Sequence, residues 1–246
     1  MSTDTKKRSD IFKSDATQKL LAFGTLIILL VFFSIASPFF FNYDNLTSIV
    51  VSTCVNGILA LGVTFVIITG GIDLAIGTVM TFSSVMAGVI ITFLGLPIWL
   101  GVIVGIAAGA IWGMITGTLV AKLKIPAFIA TLGVMMVTKG LSLVISGTKP
   151  IYFNDTPIFR KIAMGSIIGT IPNAIFIFIL MGIIAAVILN KTKLGRYNFA
   201  IGSNEEATRL SGVNVDSWKI AIHSLCGAFA GVAGIVMAAR LDSAQP

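Results

Sequence analysis

Three side chains that could carry charge or a proton lie inside apolar stretches of this sequence. Asp73 follows a pair of glycines in TGGIDLAIG, Lys139 interrupts the run from 125 to 146, and His223 is the single histidine of the chain. An ionisable group at membrane depth is costly, so function is the default hypothesis for such a residue. Lys139 could pair with a carboxylate, extend to the membrane surface or face an aqueous cavity. His223 has no acidic residue in its own segment, which favours a structural role over a proton relay.

Two interpretations of Asp73 stay open. The glycine pair could form a turn between two spans, which would leave Asp73 in water in the first turn of the next helix, where the helix dipole favours an acid. Alternatively, the glycines break a helix beside a cavity, where irregular backbone is tolerated within a membrane. Small and polar residues at helical spacing after Asp73 could line a pathway or bond neighbouring helices. The candidates for a translocation pathway are Asn56, Gly70, Gly71, Asp73 and Thr81.

A second polar cluster lies at residues 195–215, GRYNFAIGSNEEATRLSGVNV, between two apolar runs. Ser203 followed three residues later by Glu206 has the spacing of a capping box, which satisfies free N–H groups at a helix start. An acid in the first turn complements the helix dipole, and Gly212 is placed to end the helix. The pattern predicts a helix of about two turns that is too short to be stable alone, so it must dock on its own protein or on a partner. Its candidate contact residues are Glu205, Glu206, Ala207, Arg209, Leu210 and Gly212.

The elements that carry these residues are apolar segments. The 246-residue chain has 56% hydrophobic and 11% charged residues and a mean hydropathy of +1.00, whereas soluble domains carry about 25% charged residues. Several stretches approach the roughly 20 residues that cross a bilayer. The sequence therefore predicts an all-α, polytopic transmembrane helix bundle of about seven spans. The expected spans are Leu20–Ser37, Ile49–Thr69, Leu74–Phe93, Ile98–Ala121, Ile125–Ser146, Asn173–Leu189 and Ile220–Ala239.

Signatures of an enzyme, of a redox centre or of a metal site are missing from the sequence. It contains no P-loop, no HExxH and no GxSxG motif, so we predict no catalytic residue, no metal ligand and no cofactor. Cys54 and Cys226 both lie in apolar runs, which excludes a CxxC site and a disulfide framework. The net charge of +7 reflects the basic residues that fix membrane topology, and we expect no nucleic-acid partner.

The distribution of lysine and arginine predicts the orientation. With the N-terminus inside, twelve basic residues fall on the inner side and four on the outer side, which places the N-terminus in the cytoplasm. No small-residue cleavage site follows the first span, so we interpret the polar start as a tail rather than a signal peptide. The predicted organisation is a cytoplasmic tail over 1–19 and a transmembrane domain over 20–246, with an outer loop over 147–172 and a cytoplasmic loop over 190–219.

The fourth predicted span carries a glycine at every fourth position. On a helix these glycines form one bare stripe, which lets a second helix approach closely where lipid provides no hydrophobic drive for association. Close helix packing is the preferred interpretation of the stripe, and a groove for substrate is the alternative. The stripe consists of Gly101, Gly105, Gly109, Gly113 and Gly117.

The second polar cluster also resembles a known motif. Residues 206–212, EATRLSG, are similar to the EAAxxxG coupling-loop motif of ABC-importer permeases, with Thr208 in place of the second alanine. Permeases of the ribose, xylose and galactose type are resembled along further stretches, at 192–215, 70–80 (GGIDLAIGTVM), 125–147 (IPAFIATLGVMMVTKGLSLVISG) and 238–246 (AARLDSAQP). The resemblance covers nearly all of the chain after the first span.

This resemblance implies the permease subunit of a bacterial ABC importer for a monosaccharide, in the inner (plasma) membrane and without enzymatic activity of its own. Its expected partners are a separate ATPase subunit that docks on the helix at 205–212, a periplasmic binding protein that delivers the sugar, a second permease chain and membrane lipid. Permeases for branched-chain amino acids and for furanone signals share the resemblance. An ion-coupled secondary transporter that uses Asp73, Lys139 and His223 is the alternative from another class. A purely structural assembly subunit is disfavoured by the capped helix.

The end of the sequence departs from the family pattern. Such permeases continue past the SAQP segment with further spans, whereas this sequence stops at Pro246. The resemblance therefore predicts a truncated product or a partial gene model, and it puts transport by this polypeptide alone in doubt.

Overall fold

The computed structural model describes residues 15–154 and 156–246 of the chain. The predicted tail over 1–19 lies mostly outside these residues, and so do four of the basic residues that support the predicted orientation, Lys6, Lys7, Arg8 and Lys13. In the part that is described, the first helix, α1 (Asp15–Ala36), begins five residues before the predicted start of the first span at Leu20.

The chain divides into two compact units, of which the first comprises Met1–Ile49. In this unit α1 is followed by a turn and by the start of α2 (Tyr43–Ile68). The rings of Phe33 and Phe40 stack with their centroids 6.1 Å apart. The side chain of Asn45 donates a hydrogen bond to the backbone oxygen of Phe40 at 2.9 Å. These contacts fix the turn between the two helices.

The second compact unit, Val50–Pro246, contains the rest of α2 and all later elements. Most of its residues are helical. Its helices are α3 (Ile76–Gly88), which continues into a π-helical segment (Val89–Phe93), α4 (Ile98–Ala121), α5 (Ala127–Ser146), α6 (Pro157–Met164), α7 (Asn173–Lys191), α8 (Lys193–Ser203), α9 (Glu205–Leu210) and α10 (Val215–Leu241).

Seven helical segments in the described part of the chain are long and apolar enough to cross a membrane, namely α1, α2, α3 with its π-helical extension, α4, α5, α7 and α10. They confirm the predicted polytopic helical fold. Besides α1, two helices begin earlier than predicted, α2 at Tyr43 and α10 at Val215. Their first turns contain Asp44 and Asp216, which suit the positive end of a helix dipole but end an apolar run in the sequence.

The segment 147–172, predicted as an outer loop, contains secondary structure that the sequence pattern did not reveal. Helix α6 lies in it, and the ring of Phe159 from α6 packs 4.0 Å, centroid to centroid, from that of Phe153. Two short antiparallel pairs complete the fold, β1 (Ile151–Tyr152) with β4 (Ser243–Ala244) and β2 (Ser166–Ile168) with β3 (Ile171–Pro172). Asp155 lies outside the described residues, and the position of this segment on the outer side stays a prediction.

The centre of the second unit is the pair α4 and α10. A β-carbon added at Gly109 or Gly113 would collide with the backbone oxygen of Gly227 or His223, both in α10. At Gly117 the added atom would lie 2.7 Å from the Ile220 Cα. Hydrogen is therefore the largest side chain that the α4 backbone can carry at these positions. Of the other two stripe residues, Gly105 faces Ile235 of α10 and Gly101 faces Ile91 of the π-helical segment.

Candidate functional site

Two short helices, α8 and α9, occupy the connection between the long helices α7 and α10. Because α7 extends to Lys191 and α10 begins at Val215, the connection is shorter than the predicted loop over 190–219. Helix α8 was missed by the sequence analysis. Its N-cap is Thr192, whose hydroxyl accepts a hydrogen bond from the backbone N–H of Gly195 at 3.5 Å. The chain here is thus folded into helices rather than left as a mobile link.

The cap of α9 is Asn204 and not Ser203, so the predicted capping box was wrong by one residue. Asn204 Oδ1 accepts a hydrogen bond from the backbone N–H of Ala207 at 2.9 Å. Asn204 has extended backbone, with φ of −158°, as a residue at a helix start requires. Ser203 is the last residue of α8. Asparagine and serine cap helices about equally well, so the residue types alone did not decide between them.

The other end of α9 is closed by Gly212. Its φ is +83°, in the left-handed region, and its N–H donates a hydrogen bond to the backbone oxygen of Arg209 at 3.1 Å. A residue without a β-carbon takes this conformation with little strain, which is why glycine commonly follows the last helical residue. Both ends of α9 are therefore fixed by local hydrogen bonds, despite its length of six residues.

The candidate contact residues of α9 divide into two groups. Glu206, Ala207 and Leu210 are exposed, and Leu210 is exposed by 84%. Together they give α9 an outer edge with an apolar centre and an acidic neighbour. Glu205 and Arg209 face the chain's own charged residues instead, 3.5 Å from each other at their closest oxygen and nitrogen.

Two ion pairs join α9 to the start of α10. Lys219 Nζ donates to Glu205 Oε2 at 2.5 Å, and Arg209 donates to Asp216 Oδ1 at 2.7 Å. A third pair connects Asp216 to Lys124 Nζ at 2.9 Å, on the connection between α4 and α5. Charged side chains thus link α9 and the start of α10 to a segment that lies 92 residues earlier in the sequence.

The ion pairs of this network shift the pKa values of its two members on α9, Glu205 and Arg209. The hydrogen bond from Lys219 lowers the pKa of Glu205 below the ordinary value of 4.5, and burial opposes that shift. The hydrogen bond to Asp216 raises the pKa of Arg209. Both groups therefore carry their charges at neutral pH, and the pairs persist over the physiological range.

A cavity of about 370 Å³ lies behind this network. It is lined by Gly70 and Gly71, by Lys124, by the paired Glu205 and Lys219, and by His223. His223 Nδ1 lies 2.9 Å from the backbone oxygen of Lys219, whereas its buried Nε2 has no hydrogen-bond partner in the described part of the chain. The start of α9 and the glycine pair Gly70–Gly71 thus line the same cavity.

The glycine pair connects α2 to α3. Gly70 has φ of +78°, and Gly71 donates its N–H to the Val66 oxygen at 3.2 Å, which ends α2. Asp73 lies before α3 and not in its first turn. It is half-buried, its Oδ1 accepts from the Ala75 N–H at 2.9 Å, and its Oδ2 lies 3.6 Å from the Cys226 sulfur. The break therefore separates two span-length helices, with a carboxylate held beside α10.

The remaining pathway candidates lie elsewhere. Asn56 is exposed on α2. Thr81 lines a separate cavity of about 80 Å³, together with Ser84 and Gln245. The structure thus brings Gly70 and Gly71 to the cavity behind α9 but not Asn56 or Thr81.

Three charged residues of the site were not predicted from the sequence, namely Lys124, Asp216 and Lys219. Lys124 and Asp216 are 92 residues apart, and no local sequence pattern predicts that they pair. One signal was present for Lys219, because a lysine in the first turns of an apolar segment requires a partner or water. Lys124 also has φ of +55°, which is uncommon for a residue with a β-carbon. Among residues 15–154 and 156–246, no group of three side chains suited to a metal ion occurs.

Seven apolar helices and a glycine-packed pair of spans define a multi-pass membrane protein. The chain belongs to the family described as branched-chain amino acid transport system / permease component, which matches residues 45–246.

Curated relatives cover most of the chain. The ribose import permease protein RbsC of Haemophilus influenzae is 39% identical over 92% of this chain and 70% of its own length. RbsC of Bacillus subtilis is 41% identical over 93% of this chain and 71% of its own length. The L-arabinose transport system permease protein AraH of Escherichia coli is 35% identical over 91% of this chain and 68% of its own length. No solved structure matches the chain.

Proposed function

We propose that this chain is the permease subunit of an ATP-driven importer for a simple sugar in the bacterial inner membrane. Family membership gives the class of transport subunit. Relatives that are 35–41% identical over nine-tenths of the chain are named for the import of ribose and the transport of L-arabinose, both of them pentoses. The ligand class of the proposal is therefore a small neutral molecule with several hydroxyl groups.

The observation that carries the coupling role is the outer edge of α9. Glu206, Ala207 and Leu210 are exposed on a helix whose two ends are fixed by Asn204 and Gly212. A rigid, exposed edge with an apolar centre is suited to a cleft on another protein. We assign that cleft to an ATPase subunit, which hydrolyses ATP while this chain moves the sugar.

The ion pairs behind α9 provide a route from that contact to the spans. A displacement of α9 acts on α10 through Glu205–Lys219 and Arg209–Asp216, and on the α4–α5 connection through Lys124. The cavity beyond them reaches the glycine pair that connects α2 and α3. Binding of the ATPase in two states thus favours two arrangements of the spans, as alternating access requires.

The remaining partners follow from the orientation predicted by the basic residues. With the N-terminus and the α8–α9 connection in the cytoplasm, the segment 147–172 faces outward, where a binding protein delivers the sugar. A second permease chain completes the pathway. Asn56, Gly70, Gly71, Asp73 and Thr81 stay our candidates for its lining, on the same grounds as in the sequence.

A second ligand class has support from the family description, which names branched-chain amino acids. Uptake of D-ribose and of L-leucine by vesicles that contain the assembled transporter separates the two. Ribose uptake that excess leucine does not inhibit supports the sugar. Leucine uptake without ribose uptake would assign the chain to amino-acid import instead.

Co-purification with the ATPase encoded beside the chain tests the coupling role. In mild detergent, the unmodified chain is expected to retain the ATPase, whereas Glu206→Lys, which reverses a charge on the outer edge of α9, is expected to lose it. Asn190→Lys adds a positive charge at an exposed position at the end of α7 and serves as the matched control. Retention of the ATPase by Glu206→Lys at the level of the control would contradict the assignment.

A further inference from the structure

Lys139 is a charged side chain in the middle of a membrane span. It lies 12 residues after the start of the 20-residue α5, or about 18 Å along the helix axis. Its side chain is exposed. Among the residues that the structure describes, it forms no ion pair. Contact with hydrocarbon would leave its charge without a partner at the depth where this is most costly.

Two simpler explanations of Lys139 do not fit its position. A lysine near a helix end can extend to the membrane surface, but the nearer end of α5, at Ser146, is seven residues or about 10 Å away. Pairing with Asp73 is also excluded by distance along the helix. Asp73 follows Ile72, whose oxygen lies 3.5 Å from the Thr131 hydroxyl, and Thr131 is eight residues or about 12 Å from Lys139.

The relation between α3 and α5 places Lys139 relative to the polar residues of α3. The Thr131 hydroxyl lies near Ile72, and the Thr138 hydroxyl donates to that of Thr78 at 2.8 Å. The later residue of α5 thus contacts the later residue of the α3 segment, so the residue numbers of the two segments increase in the same direction. The two helices run parallel, with Thr78 and Thr138 facing each other.

Helix geometry then puts Lys139 and Gly77 on one side of this pair. Each residue advances about 100° around a helix. Lys139 follows Thr138 by one residue, and Gly77 precedes Thr78 by one residue. Because the facing helices are parallel, these opposite rotations lead to the same side. Thr81 is four residues after Gly77 on α3 and shares its face.

This side is open in the chain. Gly77 is exposed, Thr81 is half-buried, and a β-carbon added at Gly77 would meet no atom within 4 Å. Next to Lys139, Gly140 also has open space around it. An open face that carries a lysine and a hydroxyl is suited to water and not to lipid tails.

We infer that Lys139 lines the water-filled pathway of the sugar, on a surface shared with Gly77 and Thr81. The inference rests on the proposed import function and adds α5 to the candidate lining. The ammonium group donates up to three hydrogen bonds, which suits the hydroxyl oxygens of a neutral sugar. Lys139 is therefore a residue that binds the sugar during its passage.

Cysteine labelling in membrane vesicles with the assembled transporter tests the water contact. Lys139→Cys is treated with a membrane-impermeant methanethiosulfonate, and Ile111→Cys is the control, since Ile111 lies mid-way along α4 and is 51% exposed on an apolar surface. The native cysteines are buried, and the unmodified chain gives their background. Lys139→Cys is expected to react at least about tenfold faster than the control, because only a water-lined position is reached by the reagent. Equal rates would overturn the inference.

The unmodified chain provides a second measurement that does not depend on the folding of a variant. A membrane-impermeant amine reagent is expected to modify Lys139 itself, as detected by mass spectrometry of the peptide. The role in binding is tested by D-ribose uptake. Lys139→Met is expected to raise KM about tenfold through loss of hydrogen bonds, and Lys139→Gln to restore part of it. An unchanged KM in Lys139→Met would contradict that role.

The same vesicles separate this inference from the proposed function. Ribose uptake together with absence of labelling at position 139 would overturn the inference and leave the import function standing. Rapid labelling without uptake of any sugar would contradict the import function, and with it the assignment of the open face to a sugar.

Discussion

Lys219 ties α9 to the last span of the described chain, because its Nζ lies 2.5 Å from Glu205 Oε2. The backbone oxygen of the same lysine lies 2.9 Å from Nδ1 of His223, one turn further along α10. The backbone of His223 in turn packs directly against Gly113 of α4. The ion pair of α9 and one of the close contacts between α4 and α10 therefore lie within about one turn of each other on α10.

Substitution Lys219→Met is expected to uncouple ATP hydrolysis from sugar import. The pair with Glu205 is partly exposed, so its loss costs less than about 1 kcal/mol of stability and leaves the ATPase bound. The measurement is the number of ATP molecules hydrolysed per sugar imported in proteoliposomes, which we expect to rise. Lys193→Met is the control, because the exposed Lys193 forms no ion pair within the described ranges. An unchanged ratio in Lys219→Met would show that the pair does not transmit the movement.

The stability of the α9 connection is expected to fall in acid because of Glu205. Folding lowers the pKa of this carboxyl below 4.5, chiefly through the hydrogen bond from Lys219. The ionised form is thus favoured in the folded state, and its contribution is present above pH 4.5 and lost as the pH falls through the lower, folded pKa. Thermal unfolding in detergent between pH 3 and 6 should show a smaller loss for Glu205→Gln than for the unmodified chain. Parallel curves for the two proteins would contradict this assignment.

Asn204 and Ser203 give a matched pair of substitutions. Asn204→Ala removes the acceptor for the Ala207 N–H and is expected to destabilise α9 by about 1 kcal/mol. Ser203→Ala is expected to have little effect, because Ser203 is exposed at the end of α8. Amide hydrogen exchange over residues 205–210 measures both. Faster exchange in Ser203→Ala than in Asn204→Ala would instead support Ser203 as the cap, as the sequence predicted.

Gly212→Val should weaken binding of the ATPase without affecting insertion of the chain into the membrane. A β-branched residue at φ of +83° is strained by about 1–2 kcal/mol, which shifts the end of α9. Co-purified ATPase and the amount of chain in the membrane fraction are measured together. Because no atom lies within 4 Å of a β-carbon added at this position, backbone conformation and not crowding causes the effect. Equal recovery of ATPase with Gly212→Val and with the unmodified chain would exclude a role for this end of the helix.

The long helices were predictable from the sequence, because the length of an apolar run reflects the thickness of the membrane. Their polar first turns were not, since Asp44 and Asp216 belong to helices but not to apolar runs. Helix α8 was missed for a related reason. Gly195 and Gly202 resemble helix breakers in the sequence, whereas in the fold they allow close approach to the backbone oxygens of Leu189 and Ile68.

The candidate site was predictable in its local part alone. The exposed edge of α9 and the ending at Gly212 follow from residue types within seven positions. The pairing of Asp216 with Lys124 depends on how α10 meets the α4–α5 connection, and no spacing within either segment encodes it. The sequence does not show which side of α5 carries Lys139 relative to α3. That assignment depends on the hydrogen bond between Thr138 and Thr78.

The packing role of the glycine stripe of α4 can be tested by two glycine-to-alanine substitutions in membrane helices. A β-carbon at Gly113 would collide with the backbone oxygen of His223, so Gly113→Ala must push α4 and α10 apart. Such overpacking costs about 1–3 kcal/mol, and backbone atoms can relax less than a side chain can. Gly133→Ala in α5 is the control, since a β-carbon there meets no atom within 4 Å and alanine favours helix. The thermal midpoint in detergent should fall for Gly113→Ala and stay unchanged or rise for Gly133→Ala. A fall of equal size in both would mean that the stripe is not the contact that holds these two spans together.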